Sequence, residues 1–217
     1  MPDRLKGKVA IVVGAGSIGP GWGNGKATAV LFAREGASVF CVDVNSAAAE
    51  ETAGIIKAEG GNAVAHRADV TKAQEVAALV AACRERYGRI DVLDNNVGIA
   101  ELGGVVEVSE ADWDRVFAVN LKGAFLAMKH VIPIMAAQGG GSIINISSIA
   151  AIRYTGLPYS TYYASKAALS HLTRTTAVEY AKARIRVNAI LPGLMKTPMV
   201  EKAFGFARAY GAADVEE

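Results

Sequence analysis

The alternation of short, β-branched apolar runs with longer helical segments constrains the fold of this chain most. The first run, Val9 to Val13, ends in glycine; others follow at Val39–Val42, Ala63–Ala65, Ile90–Leu93, Ile143–Ile146 and Arg186–Ile190. Short apolar runs bounded by turn residues read as buried parallel strands. Helical patterns fill the gaps: Lys26–Arg34, Ala47–Glu59, Ala73–Tyr87, Trp113–Ala137 with room for a break, and Tyr159–Lys182. Parallel neighbours need crossover connections, and helices supply them in right-handed βαβ units. The pattern therefore predicts an α/β fold, a doubly wound (Rossmann) parallel sheet with helices on both faces. No repeat or linker divides it, so residues 1–217 are expected to form one domain.

The uncharged stretch from Val131 to Ile152 is long enough to raise the question of a membrane span. Gln138-Gly139-Gly140-Gly141-Ser142 breaks it, which makes it helix, turn and buried strand instead. Met1 to Lys6 lacks an apolar signal region. A formal charge of +2 argues for neither nucleic acid nor an anionic membrane as partner. Cys41 and Cys83 stand alone, without a Cys-x-x-Cys spacing, as in reduced cytoplasmic proteins. His66, His130 and His171 are scattered, so no metal site is expected.

Directly after the first strand, Gly14-Ala15-Gly16-Ser17-Ile18-Gly19 matches G-x-G-x-x-G, a loop that cradles a dinucleotide pyrophosphate. Pro20-Gly21-Trp22-Gly23-Asn24-Gly25 follows, too rich in glycine to be helix, so the loop is long and the helix begins near Asn24 as N-cap. Gly14, Gly16, Ser17, Gly23, Asn24 and Gly25 are its expected cofactor contacts, through backbone N–H groups at a helix N-terminus. Asp43 ends the second strand, where an acid accepts from the ribose hydroxyls and repels a 2′-phosphate. NAD is thereby preferred over NADP. Further on, Tyr162 and Lys166 are spaced i, i+4 on a helix, so phenol and ammonium share a face. An adjacent ammonium is expected to lower the phenol pKa into a range useful for proton transfer.

Together these residues resemble the short-chain dehydrogenase/reductase family, over roughly Leu5 to Met199. The glycine turn of that family is similar to Gly14–Gly25, here about five residues longer and with Val13 where Thr is usual. Asp69-Val70 resembles its adenine-contacting pair, and Asn95-Asn96-Val97-Gly98 its Asn-Asn-Ala-Gly motif, with Asn96 and Gly98 as cofactor contacts. Two departures stand there: Val97 for Ala, and Asp94 where an apolar residue is common. Pro192-Gly193 and Thr197 resemble the nicotinamide-side loop. The resemblance implies an enzyme that moves hydride between NAD and a secondary alcohol or ketone. It implies Tyr162 as general acid/base, Ser148 as donor to the substrate oxygen, and Lys166 on the phenol and nicotinamide ribose. Asn120 would hold a water beside Lys166 in a proton relay. Arg153, Tyr154, Leu157, Tyr159 and Met195 are the expected substrate-pocket residues.

Two alternatives remain open. Tyr159 lies seven residues before Lys166, the spacing of enoyl-thioester reductases, whose long glycine loop this one also resembles. The other is a non-catalytic, dinucleotide-binding regulatory protein, motivated by the tail. After Thr197-Pro198-Met199 comes a helical-looking stretch to Tyr210 and an acidic end, Asp214-Val215-Glu216-Glu217. The family's further helix and last, seventh strand are not found, so the C-terminal part is expected to be truncated. Family members associate through their two long helices, here Leu121–Ala137 and Tyr159–Lys182, so a homodimer or homotetramer is expected.

Overall fold

In the computed structural model, residues 3–204 are described. Six strands form one sheet: β1 (Val9–Val13), β2 (Ser38–Asp43), β3 (Asn62–Arg67), β4 (Val92–Asn95), β5 (Gly141–Ile146) and β6 (Ile185–Ile190). Their order is β3-β2-β1-β4-β5-β6, and every pairing is parallel. The chain winds outward through β3, then returns past β1 to continue with β4, so strand order reverses between β1 and β4. That reversal opens a crevice at the carboxyl ends of the strands, where ligands bind in open α/β sheets.

Seven α-helices are described: α1 (Asn24–Arg34), α2 (Ser46–Ala58), α3 (Ala73–Tyr87), α4 (Glu110–Phe117), α5 (Gly123–Ala137), α6 (Ser160–Glu179) and α7 (Pro198–Phe204). They cover both faces. On one, Val30 of α1 and Ala53 and Ile56 of α2 pack on Ala10, Val12, Val39 and Cys41. On the other, Leu79 and Cys83 of α3 and Val131 and Met135 of α5 meet Ile11, Phe40, Leu93 and Ile143, with Leu172 of α6 beside them. A strand buried on both faces must be apolar throughout, which is why Val9–Val13 carries no polar residue.

Several boundaries differ from the sequence expectation by one to three residues, α4 for instance beginning at Glu110 rather than Trp113, and the following have a local reason. The break expected within Trp113–Ala137 is a π-helical turn, Ala118–Lys122, between α4 and α5. The strand expected at Ile90 begins at Val92, because Ile90 spends both backbone groups on the Gln138 amide. The last long helix ends at Glu179 rather than Lys182; a 3-10 turn follows, and Arg184 closes it in the left-handed region at φ 58°. Gly23, not Asn24, is the N-cap of α1, and no side chain caps that helix. Of the expected C-terminal helix, Pro198–Phe204 is seen, and the rest lies outside the described residues. Among the described residues no helix is long and apolar enough to cross a membrane.

Asp94 in β4 is a departure that the fold does not resolve. It pairs in register with Val12 and Ile144, is 1% exposed, and neither carboxylate oxygen has a hydrogen-bond partner among the described residues. Burial pushes its pKa up to about 7.

Candidate active site

One cavity of about 740 Å³ occupies the crevice, and residues from the β1, β2, β4 and β5 ends, α6 and α7 line it. The glycine loop forms one wall. Gly14 takes φ +82°, and the N–H groups of Gly14 and Ala15 both donate to the Val42 carbonyl, tying the loop to β2. At Gly25 a Cβ would stand 1.9 Å from the Gly14 oxygen, so only glycine lets α1 approach the turn this closely. The Ser17 hydroxyl oxygen is buried and has no partner among the described residues. An orphaned donor on the cavity wall, beside an uncapped helix N-terminus, fits an anionic diphosphate. The lack of a side-chain cap at Gly23 has the same physical sense: the N–H groups of α1 remain available to a ligand.

Asp43 and Asp69 both line the cavity. The Asp43 carboxylate accepts from Gly16 N–H and from Asn45 N–H, each at 3.0 Å, which fixes its orientation at the end of β2. Asp69 accepts from the Thr71 N–H at 2.9 Å and from its hydroxyl at 2.7 Å. Val70, Asn96, Gly98, Pro192, Gly193 and Thr197 line it too.

Ser148, Tyr162 and Lys166 converge there as well. Lys166 is 2% exposed and donates to the Ile146 carbonyl at 2.7 Å, with its ammonium 5.6 Å from the centre of the Tyr162 ring. Burial lowers the Lys166 pKa to about 8. The expectation of a lowered phenol pKa is not met. Burial raises the Tyr162 pKa, and the Ser148 hydroxyl offsets only part of that. Desolvation wins because the phenolate would be the buried charge. Asn120 sits behind the wall rather than on it, in the π-helical turn. Its amide donates to Ile99 O at 2.9 Å and Ser165 Oγ at 3.1 Å, and its carbonyl accepts from Ile99 N at 2.8 Å. The widened turn aims this side chain at the loop after β4, as π-bulges do at functional sites.

The substrate side corrects part of the expected pocket. Tyr159 and Met195 line the cavity, whereas Arg153, Tyr154 and Leu157 do not. Tyr154 is 70% exposed and lies tilted against Tyr163, and Leu157 serves through its carbonyl, which accepts from the Tyr163 hydroxyl at 2.9 Å. Tyr159 is 6% exposed, its ring stacked on Tyr163 and its hydroxyl hydrogen-bonded to Thr155. Thr155, Ile149, Leu194, Met199 and Val200 complete this end and were not foreseen. Only contact across the fold marks them, since their local sequence is ordinary loop and helix.

The chain is similar to known proteins over most of its length. The family described as short chain dehydrogenase matches residues 8–206. The 3-oxoacyl-acyl-carrier-protein reductase FabG of Thermotoga maritima is 43% identical over 202 residues, covering 92% of this chain and 78% of that protein. Among solved structures, a short-chain dehydrogenase/reductase from Burkholderia xenovorans superposes with a TM-score of 0.92 at 48% identity, covering 95% of this chain and 81% of that one. A 7α-hydroxysteroid dehydrogenase solved with NADH and 7-oxo glycochenodeoxycholic acid superposes at 0.86 with 38% identity, covering 92% and 75%. The chain belongs to the short-chain dehydrogenase/reductase family. It is an oxidoreductase of that family, which sets aside the non-catalytic reading.

Proposed function

We propose that the protein is an NAD-dependent dehydrogenase/reductase acting on a secondary alcohol or its ketone, with residues 1–217 working as one domain. The observation that carries this is the convergence of Ser148, Tyr162 and Lys166 on one wall of the cavity that the glycine loop and Asp43 also line. A bound nicotinamide supplies the hydride exchange. The chain supplies the rest: Gly14–Gly25 and Ser17 hold the diphosphate, Asp43 the adenosine ribose, Asp69 and Val70 the adenine. Asn96, Gly98, Pro192, Gly193 and Thr197 bracket the nicotinamide half. Ser148 donates to the substrate oxygen, and Tyr162 passes a proton to that oxygen in reduction or takes it in oxidation. Lys166, held by Ile146 O, keeps positive charge beside the phenol, and Asn120 secures the loop over it in the proton relay. Its raised pKa keeps the proton on the phenol, the form that carbonyl reduction requires. The two relatives named for carbonyl or carbinol substrates support the substrate class. A panel of ketones with NADH and NADPH, and of alcohols with NAD and NADP, tests the reading; no turnover with any pair would overturn it.

Cofactor choice rests on Asp43, whose carboxylate is fixed by two backbone N–H groups at the ribose end of the cavity. A 2′-phosphate placed there meets like charge, with no Arg or Lys directly after Asp43 to offset it. Asp43→Ser is expected to cut the NAD-over-NADP ratio of kcat/KM at least about tenfold, or about 1.4 kcal/mol. It also weakens NAD itself, because Gly16 N–H loses its acceptor. Equal ratios in both proteins would remove Asp43 from the selectivity.

The enoyl-thioester alternative has one observation in its favour, the presence of Tyr159 in the same cavity. Its hydroxyl is engaged with Thr155, which the Tyr163 hydroxyl also contacts, so it takes part in a braced hydroxyl cluster. We further propose a cytoplasmic homodimer or homotetramer joined through α5 and α6. Phe125 of α5 and Val178 of α6 are exposed at 46% and 76%, apolar surface that such an interface would cover. Light scattering is expected to give at least twice the 22.6 kDa chain mass; a monomer at micromolar concentration would refute the association.

A further inference from the structure

The glycine loop contains a six-residue excursion, Ser17 to Trp22, which starts inside the G-x-G-x-x-G match and runs past it. Its stems meet: a Cβ on Gly23 would lie 3.3 Å from the Gly16 carbonyl oxygen. Its far side reaches α7, since a Cβ on Gly19 would lie 3.4 Å from Pro198 Cβ and one on Gly21 3.7 Å from Pro198 Cγ. The excursion thus arches from the glycine turn to the segment that closes the opposite end of the cavity. Ser17 and Ile18 line the cavity on one side of the arch, Thr197 and Met199 on the other.

Little apolar burial holds this arch in place. Ile18 and Trp22 are 56% and 50% exposed, and Gly21 takes φ +104°, so ordering the segment is entropically costly. The polar contacts converge instead on Lys26. Its ammonium lies 2.6 Å from Glu51 Oε1 of α2, 3.4 Å from the Gly21 carbonyl and 5.5 Å from the centre of the Trp22 ring. The Lys26 side chain is 5% exposed, while Glu51 is 61% exposed. Lys26 also sits in the first turn of α1, where the helix dipole disfavours a cation. A desolvated ammonium at the wrong end of a helix needs its partners, and two of its three are the excursion itself. It does not line the cavity.

We propose that Lys26 is a positioning residue for the dinucleotide: by gripping Gly21 and Trp22 it holds the excursion in the arc that seats Ser17 against the diphosphate and Gly19 and Gly21 on Pro198. This rests on the nicotinamide-dinucleotide reading above. NADH affinity, by calorimetry, tests it in the wild type, Lys26→Met, Lys26→Arg and Trp22→Ala. Trp22 and Trp113 are the two tryptophans, so a Trp113→Phe background lets emission report on Trp22 alone. Lys26→Met is expected to weaken NADH about tenfold and to shift Trp22 emission to the red. Lys26→Arg, which keeps the charge and the aromatic contact, restores both, and Trp22→Ala weakens NADH in the same direction. Unchanged NADH affinity in folded Lys26→Met overturns the proposal. If that variant does not fold, unchanged affinity in Trp22→Ala overturns it. A wild type that binds NADH shows the cofactor reading intact while the positioning role fails; a wild type that binds neither NADH nor NADPH removes both.

Discussion

Tyr162→Phe lowers kcat/KM for ketone reduction by about 10²–10⁴, the usual contribution of a positioned general acid. It leaves NADH affinity within about twofold. The variant keeps the ring, so its contact with the Lys166 ammonium and its edge-on packing against Tyr159 at 5.4 Å persist. What is lost is the one hydroxyl on that wall that Ser148 engages and whose proton burial retains at neutral pH. Ser148 alone can polarise the substrate oxygen, but without an acid the alkoxide forms uncompensated. Tyr159→Phe, measured beside it, is expected to keep ketone turnover within about tenfold, because its hydroxyl braces Thr155. The opposite pattern, with Tyr159→Phe inactive and Tyr162→Phe near wild type on enoyl substrates, would establish the enoyl-reductase reading. The pH profile adds a check. Lys166 keeps its proton below its pKa of about 8 and loses it above. Reductive kcat/KM therefore bends downward above about pH 8, as the charge that stabilises the departing phenolate disappears.

The sequence revealed the parts of this fold that local chemistry dictates. Six apolar runs and the helices between them determine a parallel sheet, and α3 keeps its expected bounds, closed by Gly88 in the left-handed region. The catalytic wall was legible for a similar reason: i, i+4 spacing places Tyr162 and Lys166 on one helix face. Two matters were not. The direction of the phenol pKa depends on how deeply α6 is packed, which no spacing states. The outer pocket depended on which side of a turn each residue falls, and Arg153 and Tyr154 turned to solvent while Thr155 turned in. Lys26 illustrates a third kind of silence. In sequence it is a polar residue in the first turn of a helix, and its buried contacts come from the loop before it and from Glu51, 25 positions later.

Asp94 carries the largest stability effect expected in the molecule. Its carboxyl titrates near the ordinary 3.8 when unfolded and at about 7 in the fold, with burial as the cause. The folded state thus binds the proton more tightly, and stability falls as pH rises through the window from about 4 to about 7. Between pH 5 and 8 this group alone costs about 3 kcal/mol, at about 1.4 kcal/mol per pH step until the folded pKa is reached. For a chain of this size that is a melting-temperature drop of roughly 6–12 °C. Asp94→Val places an apolar, β-branched side chain in a strand position between Val12 and Ile144, where no described residue offers the acid a hydrogen bond. The variant is expected to melt higher than wild type at pH 8, and the gap should narrow at pH 5, where the wild-type acid is protonated. Melting curves at the two pH values decide it. A wild type and variant with parallel pH dependence would mean that Asp94 does not titrate in this range. A variant less stable at pH 8 would mean that the carboxylate has a partner outside the described residues.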